Sequence, residues 1–454
     1  MMNLQEAEAG MVNTDSKRVL IVGLGKTGLS CARYLSAQGI EVAVTDSREH
    51  PPEMAALQAE LPDVAVFSGA FEQHVFDSAD EIIVSPGVSL KHPLIKRAQD
   101  QGKDVLGDVE LFARNAVAPV LLITGSNGKS TVTSLVGVMA RETGLDVRVG
   151  GNIGVPVLEL LEQNEPDCYV LELSSFQLEY TSSLNALAAT VLNISADHMD
   201  RYSDIDEYVE AKKRVFNGDG VMVLNRDDAL VMKMADAQRD VVTFGLQEPE
   251  PGQYGVRMKN SEAWLCRGED YLMPRSLLKI PGMHNCANAL AALAIGEVAG
   301  FSIEAMLRAL QGFQGLVHRT QFVESINGVN WFNDSKATNV GATQAALAGM
   351  DERIVLIAGG DGKGADFSEL KDVVTEKARA VVLIGTDAAK IAEALDKNTE
   401  VVFAQDMQDA VNKAAGLAQA GDAVLLSPAC ASFDMFDNYE HRGQVFMEMV
   451  RRLS

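Results

Sequence analysis

The stretch Val120-Leu121-Leu122-Ile123-Thr124-Gly125-Ser126-Asn127-Gly128-Lys129-Ser130-Thr131 decides how this chain folds. Its first four residues form an apolar run, which predicts a strand buried on both faces. A glycine-rich turn follows, and the residues after it predict a helix starting near Thr131. In such a loop the backbone amides wrap phosphate, Lys129 neutralises the γ-phosphate, and the Ser130 or Thr131 hydroxyl reaches Mg²⁺. The loop departs from the full Walker A pattern, because Ile123 stands where its first glycine belongs. The plain alternative is a surface lysine on an ordinary turn. The flanking strand and helix favour nucleotide binding.

Working outward, the same alternation occurs twice more. Arg18–Val22 predicts a strand before Gly23-Leu24-Gly25-Lys26-Thr27-Gly28 and a helix over Thr27–Gln38; Glu41–Thr45 and Glu81–Val84 predict further strands. Arg353–Ile357 restarts the pattern before Ala358-Gly359-Gly360-Asp361-Gly362. Strand, glycine turn and helix in alternation mean parallel sheets with crossover helices. We therefore expect an α/β protein of three domains: a Rossmann-like N-terminal domain (1–107), a central P-loop ATPase-like domain (108–315) and a Rossmann-like C-terminal domain (316–454). Residues 221–280 read as β-rich and carry little chemistry.

At 454 residues the chain exceeds one ordinary core. A formal charge of −24 argues against nucleic acid or an anionic membrane as partner. The same field repels nucleotides, so local basic loops must draw them in. Five dispersed cysteines without a CxxC spacing predict reduced thiols in a cytosol. Met1 to Ser16 is polar and acidic with no apolar h-region, so no secretory signal is expected there. The richest apolar stretch, Ala287–Ile295, falls far short of the ~20 residues a membrane span needs. The expectation is a cytoplasmic protein without membrane insertion, and nothing demands more than a monomer.

Several further groups carry chemistry. Glu172 closes the apolar run of Leu171-Glu172-Leu173, and a buried carboxylate is costly unless paired or on a metal. It reads as a Mg²⁺ ligand or as half of a buried pair with arginine. Asn193-Ile194-Ser195-Ala196-Asp197-His198-Met199-Asp200 gathers polar groups after the strand Ala189–Leu192, where α/β sheets bind ligands. His198 there reads equally as a structural or a catalytic histidine. In the third domain, Asn333–Asn339, Gly359–Gly364 and Ser427–Asp434 place glycines, short hydroxyls and single lysines at strand ends. That composition suits a small anion, each charge-assisted bond contributing roughly 1.5–3 kcal/mol. Gly23–Gly28 with Asp46 meets the dinucleotide fingerprint, yet also fits another phosphate held at a helix N-terminus, or merely a tight turn. An NAD-dependent oxidoreductase rests on that motif alone. A non-catalytic nucleotide-binding regulator is disfavoured by the lysines and carboxylates at strand ends.

With these motifs in order, the sequence resembles the Mur ligase family across nearly its whole length. The matching segments are GLGKTGLS (Gly23–Ser30), the phosphate loop, LELSSFQLE (Leu171–Glu179), DHMDRY (Asp197–Tyr202), Met283-His284-Asn285, His318-Arg319, DSKATN (Asp334–Asn339), GGDGKGADF (Gly359–Phe367) and SPACASFDMFDNYEHRG (Ser427–Gly443). The resemblance implies an ATP-dependent ligase of peptidoglycan precursor synthesis, and its motif set points to addition of D-glutamate to UDP-N-acetylmuramoyl-L-alanine. It implies that Lys26 and Thr27 meet the diphosphate and Asp46 and Ser47 the uracil, with Ser85 and Gly87 closing that pocket. Asn152 and His198 would position the muramoyl part. ATP would sit on Gly125, Ser126, Asn127, Gly128, Lys129, Ser130 and Thr131, supported by Asn285, Asn288, Arg319 and Asp334. D-glutamate would meet Lys336, Thr338, Lys363, Ser432 and Phe433, with Tyr439 beside them. Phe433 and Tyr439 stand where the family's Leu and Phe are expected, and the residues before Arg18 lie outside the resemblance.

The implied chemistry runs through an acyl phosphate and a tetrahedral intermediate, with two Mg²⁺ ions held by Ser130, Glu172, His198 and Lys212 as its carbamate. Lys129 would absorb phosphoryl charge, and His198 is a candidate base or only a metal or substrate contact. By composition alone, Tyr208–Arg214 is a solvated basic helix face; its position after DHMDRY is what marks Lys212. Domain closure is expected, to shield the acyl phosphate from water. Sister ligases that use L-alanine, a diamino acid or a dipeptide are the near alternatives, and no Asp-Asn-Pro-Arg segment of the diamino-acid type is present. Calorimetric titration of the protein should give binding of uridine diphosphate compounds and none of NAD; tight NAD binding would overturn the assignment of Gly23–Gly28.

Overall fold

The computed structural model describes residues 17–162, 164–199 and 201–453, so the readings of Met1–Ser16 and of Asp200 lie outside the described residues. Three sheets organise the rest. The first holds β1 (Arg18–Val22), β2 (Glu41–Asp46), β3 (Ala65–Ser68), β4 (Glu81–Val84) and β5 (Asp104–Leu106) in the order β3-β2-β1-β4-β5. Its pairings are all parallel, as in Val19 opposite Val42 and Leu20 opposite Ile82.

The second sheet holds β6 (Val120–Thr124), β7 (Val147–Gly151), β8 (Cys168–Glu172), β9 (Ala188–Val191), β10 (Val221–Asn225), β11 (Val241–Phe244), β12 (Tyr254–Lys259), β13 (Glu262–Arg267) and β14 (Asp270–Pro274). Its order is β14-β13-β12-β11-β10-β9-β6-β8-β7. β6 pairs in parallel with β8 and β9, whereas β12 to β14 form an antiparallel meander, which accounts for the β-rich character of 221–280. The third sheet holds β15 (Gln321–Ile326), β16 (Val329–Asn333), β17 (Ile354–Gly359), β18 (Ala378–Ile384), β19 (Glu400–Phe403) and β20 (Ala423–Leu426), in the order β15-β16-β20-β17-β18-β19. Only β15 runs antiparallel to its neighbour there.

The described chain divides into two compact units. One takes the residues up to Val117 together with Gly150–Glu165 and Leu173–Leu184; the other takes Ala118–Val149, Pro166–Glu172 and everything from Asn185. In the first unit, the Glu110 carboxylate ties the helix Asp108–Asn115 to the later segment. It accepts from the amides of Ser182 and Ser183, the Ser183 hydroxyl and Arg114. Burial alone would raise its pKa, and these bonds instead hold it at about 2.

The second unit is built on long apolar runs. The helix Met283–Val298 is buried nearly all round and packs with β6 residues Leu121 and Ile123 and with Val132 and Val136 of the helix Lys129–Glu142. β17 sends Ile354, Leu356 and Ala358 to one core and Val355 and Ile357 to another, as period two requires for a strand covered on both faces. All five cysteines are buried and free. No helix among the described residues is long and apolar enough to cross a membrane.

The loop after β1 depends on close backbone contact. A Cβ on Gly28 would lie 2.0 Å from the Gly23 carbonyl oxygen. Gly28→Ala should therefore cost the first unit about 1–3 kcal/mol, read as an earlier unfolding transition, while a control such as Gly87→Ala, where a Cβ meets nothing within 4 Å, should shift it less.

Candidate active site

β6 is buried along all of its five residues and leads directly into the loop Gly125–Gly128. Gly125 has φ +148, with an ideal Cβ 3.0 Å from the Leu192 Cβ; Gly128 has φ +83, with an ideal Cβ 2.4 Å from Asn288 Oδ1. Side chains at either position would collide and sit in a strained backbone. The helix Lys129–Glu142 begins without a side-chain cap, which leaves its first amides available to an anion.

Lys129 Nζ donates to the carbonyl oxygens of Gly125 and Ser126, both at 2.8 Å. Lys212, at the end of the helix Ile205–Lys213, donates to the same Gly125 oxygen at 2.9 Å and lies 4.6 Å from the centre of the Tyr208 ring. The composition-only reading of this face as solvated is corrected at Lys212, which is 2% exposed, whereas Lys213 and Arg214 are exposed. Burial lowers both amines' pKa values, Lys212 far more, and their mutual repulsion adds to the effect at Lys212. Glu172 and Asp197 oppose the shift at both lysines. Glu172 ends β8 and is buried.

The strand-end segment after β9 clamps the loop. Asn193 accepts from the Asn127 amide at 2.8 Å and donates back to the Asn127 carbonyl at 3.0 Å. Ser126 Oγ exchanges hydrogen bonds with the backbone of Ser195, both at 3.0 Å, and stands 3.1 Å from the Tyr208 hydroxyl. Asp197 Oδ1 accepts from the His198 amide, and its Oδ2 lies 3.7 Å from His198 Nε2. His198 has φ +58, a left-handed conformation unusual for its type. Burial lowers its pKa, Asp197 opposes that, and Lys363, Lys129 and Lys212 reinforce the lowering.

The third sheet brings more groups to the same place. Asn127, Gly128, Thr131, Asn285, Asn288, Arg319, Asp334 and Lys336 line one cavity. Arg319, between His318 (φ +63) and Thr320 (φ +42), donates to Ser130 Oγ at 2.7 Å. The hydroxyl expected at Mg²⁺ is thus held by a guanidinium. Asp334 accepts from the Thr320 amide and the Ser427 hydroxyl, and burial raises its pKa to about 6. Asn288 donates to Asn285, which donates to the Pro281 carbonyl.

The loops expected at D-glutamate are joined to one another. Asp361 and Ala431 exchange backbone hydrogen bonds at 3.1 and 2.8 Å, which sets the Lys363 turn beside Ser432. Lys363 has φ +50; Ser432 is buried and Phe433 is 70% exposed. Arg442, buried in the helix Tyr439–Arg451, donates to Ser335 Oγ, the Ser335 carbonyl and the carbonyls of Cys430 and Ala431. It stitches the segment carrying Lys336 and Thr338 to the segment carrying Ser432. Lys336 Nζ sits 3.7 Å over the Tyr439 ring, and burial, with Arg319 nearby, lowers its pKa to about 8. The Thr338 amide donates to the Lys336 carbonyl.

In the first unit the glycine loop carries Lys26 and Thr27 at the start of the helix Lys26–Ala37. Ser85 Oγ donates to the Gly23 carbonyl at 2.9 Å. Asp46 accepts from the Leu24 amide at 2.7 Å and from the Arg48 amide and guanidinium. Its pKa is lowered although burial would raise it, because Arg48 and Leu24 donate to the charged form. Both carboxylate oxygens are thereby engaged within the protein, unlike a carboxylate kept for a dinucleotide ribose. Ser47, Gly87 and Asn152 also belong to this unit, whereas His198 belongs to the other.

Sequence reasoning named Asn193 and Ser195 only as part of a polar cluster, and did not single out Tyr208, Asn339 or Arg442. A strand-end Asn is a usable signal for Asn193. Arg442 offers none, because its partners are backbone carbonyls remote in sequence.

Three family descriptions match the chain: Mur ligase MurD-like N-terminal domain over residues 17–107, Mur ligase middle domain over 123–296, and Mur ligase, glutamate ligase domain over 318–430. The chain is 52% identical to the UDP-N-acetylmuramoylalanine–D-glutamate ligase of Nitrosococcus oceani, over 96% of each chain. It is 53% identical to the enzyme of that name from Thiobacillus denitrificans, covering 96% of this chain and 97% of that one. Among solved structures it is similar in fold to MurF ligase from Thermotoga maritima in complex with ADP (TM-score 0.63, 14% identity, 97% of each chain). UDP-N-acetylmuramate-alanine ligase MurC from Thermotoga maritima gives a TM-score of 0.60 at 20% identity, covering 96% of this chain and all of that one.

Lys129→Ala should reduce turnover by about a hundredfold or more, because the phosphate loses its nearest cation. Circular dichroism should show the fold retained; near-normal turnover would remove the loop from the chemistry.

Proposed function

The chain belongs to the Mur ligase family, and on that premise we propose that it is the ATP-dependent ligase joining D-glutamate to UDP-N-acetylmuramoyl-L-alanine, a cytoplasmic step of peptidoglycan precursor synthesis for the cell wall. The observation that carries this reading is the convergence of the phosphate loop, Asn285, Asn288, Arg319, Asp334 and Lys336 on one cavity. Relatives that carry this activity in their names, more than 50% identical over nearly the whole chain, supply the amino acid. Phosphate release should require ATP, UDP-N-acetylmuramoyl-L-alanine and D-glutamate together. Activity with L-alanine or a diamino acid in its place would overturn the substrate. Domains at 1–107, 108–315 and 316–454 and a monomeric enzyme complete the reading; the first is supported by the three sheets, which fall within those spans.

A carboxylate is a poor electrophile, so its oxygen first attacks the γ-phosphorus of ATP and ADP departs. Lys129 and the loop amides hold the phosphoryl charge, while Asn285 and Asn288 stand by the nucleotide end of the cavity. The amine of D-glutamate must be deprotonated before it attacks the acyl carbon. His198, whose pKa burial lowers, serves either as the proton acceptor or as a contact to metal or substrate. Collapse of the tetrahedral intermediate expels phosphate. Lys336, Thr338, Lys363, Ser432, Phe433 and Tyr439 hold D-glutamate; Lys26, Thr27, Ser47, Ser85, Gly87 and Asn152 hold the uridine diphosphate substrate, with Asp46 shaping their pocket through Leu24 and Arg48.

The donor set fits Mg²⁺ shared with ligand phosphates. Among the described residues no group of three or more His, Cys, Asp or Glu side chains forms a metal cage, yet a hydroxyl (Ser130), a buried carboxylate (Glu172) and an imidazole (His198) surround the phosphate loop. Mg²⁺ characteristically takes one or two protein carboxylates plus phosphate oxygens, and when bound it neutralises developing phosphoryl charge. A bare ammonium at Lys212 would oppose a cation there. Burial favours the neutral amine, which is the nucleophile that attacks CO₂; loss of the proton leaves an anionic carbamate whose oxygen suits a hard cation.

We therefore expect Lys212→Ala to be nearly inactive and a short-chain carboxylic acid in the buffer to restore part of the rate. No rescue, together with an unmodified Lys212 mass in active enzyme, would remove the carbamate.

A further inference from the structure

Asn339 stands where the third sheet's segment meets the phosphate loop. It is the N-cap of the helix Val340–Gly349, its Oδ1 accepting from the Ala342 amide at 2.9 Å. Its Nδ2 points the other way and donates to Asp197 Oδ2 at 3.0 Å and to Asn127 Oδ1 at 3.3 Å. One amide thus contacts the helix behind it, the nucleotide loop, and the carboxylate that lies 3.7 Å from His198 Nε2. The approach is close: a Cβ on Gly341 would lie 3.0 Å from Ser195 Oγ and 3.5 Å from Asn127 Nδ2. Asn127 Nδ2 itself donates to Ser195 Oγ at 3.3 Å.

We propose that Asn339 is a positioning residue for the ligase reaction, coupling seating of the amino-acid segment Asp334–Asn339 to the orientation of Asn127 in the phosphate loop and of Asp197 beside His198. The two ends of the amide divide the work. Oδ1 fixes where the helix starts, and hence where Asn339 stands. Nδ2 supplies the side chain's only N–H donors, and both go to acceptors on the nucleotide side. Asp197 is the acceptor of consequence, because its carboxylate also supports the charge of Lys129 and Lys212. An Nδ2 bond to that carboxylate therefore fixes an anion between two lysines and a histidine. The inference deepens the ligase reading and rests on it for its kinetic arm only.

Substitution can separate the cap from the bridge. Serine caps helices about as well as asparagine but is too short to span to Asp197. In Asn339→Ser we expect kcat to fall about tenfold or more, the loss of a hydrogen bond to a charged group. The ATP KM should change by less than about threefold, and Tm by no more than about 2 °C. Asn339→Asp also keeps the cap but faces Asp197 with a second carboxylate, and its kcat should fall further than that of the serine variant. Amide hydrogen exchange is read in the same proteins: residues 195–198 should exchange faster in Asn339→Ser while Ala342 is unchanged. A serine variant within twofold of wild type, an aspartate variant no worse than serine, or a kcat loss matched by a Tm loss overturns the proposal. If wild type releases no phosphate with D-glutamate, the ligase reading fails, and the exchange pattern alone decides the coupling.

Discussion

Two lysine amines donate to one carbonyl oxygen, that of Gly125, inside a site where Lys212 is buried and Lys129 half-buried. This arrangement governs the rest of the structure. Like charges at close range in a poorly solvated place are costly unless anions accompany them or a proton is lost. The protein supplies Glu172 and Asp197 from neighbouring strand ends, and both favour the charged lysines without fully offsetting burial. A site with this imbalance draws in further anionic oxygen. Phosphate at Lys129 and the proposed carbamate at Lys212 would each meet this electrostatic demand, and the local lysines offset the repulsion that a chain of charge −24 exerts on a polyanion.

The strand-end segments keep this loop in one shape. Asn193, Ser195 and Tyr208 meet its backbone or side chains from the segment after β9 and from the helix Ile205–Lys213. The third sheet contributes through Arg319 on Ser130 and through Asn339. Left-handed conformations at His198, His318, Thr320, Lys363 and Ala429 cluster around these contacts. Such residues are held only where surrounding packing over-determines them, and here they lie in loops that present functional side chains. Arg442 shows the same logic from behind: a buried guanidinium satisfied by a serine hydroxyl and backbone carbonyls, its pKa lowered to about 10 by burial, joins two loops without touching the cavity.

The first unit illustrates how little a local motif decides. Gly23–Gly28 and Asp46 satisfy the dinucleotide pattern because any chain that turns sharply from a parallel strand into a helix meets the same steric limits; a Cβ on Gly23 would lie 2.9 Å from the Ser85 Cβ. Asp46 is instead an anchor for the loop, bonded to Leu24 and Arg48.

The sequence by itself determined the three sheets and the phosphate loop, because their causes are local. Val120–Ile123 and Val19–Val22 read as buried strands, and Gly125 and Gly128 mark turns whose φ values disfavour other residues. Whole-chain motif order also marked Lys129, Glu172, His198, Lys336 and Lys363, since each stands at a predicted strand end or in a glycine loop. Tertiary structure alone decided which of these groups meet. Lys212 reads as a solvated residue in a basic helix until the helix docks under Gly125, and burial then pushes its pKa well below the usual lysine range. Asn339 reads as the last polar residue of the DSKATN segment until Asp197, distant in sequence, arrives 3.0 Å from its nitrogen. Burial and hydrogen-bond partnership are properties of the folded environment, and residue type and spacing cannot specify them.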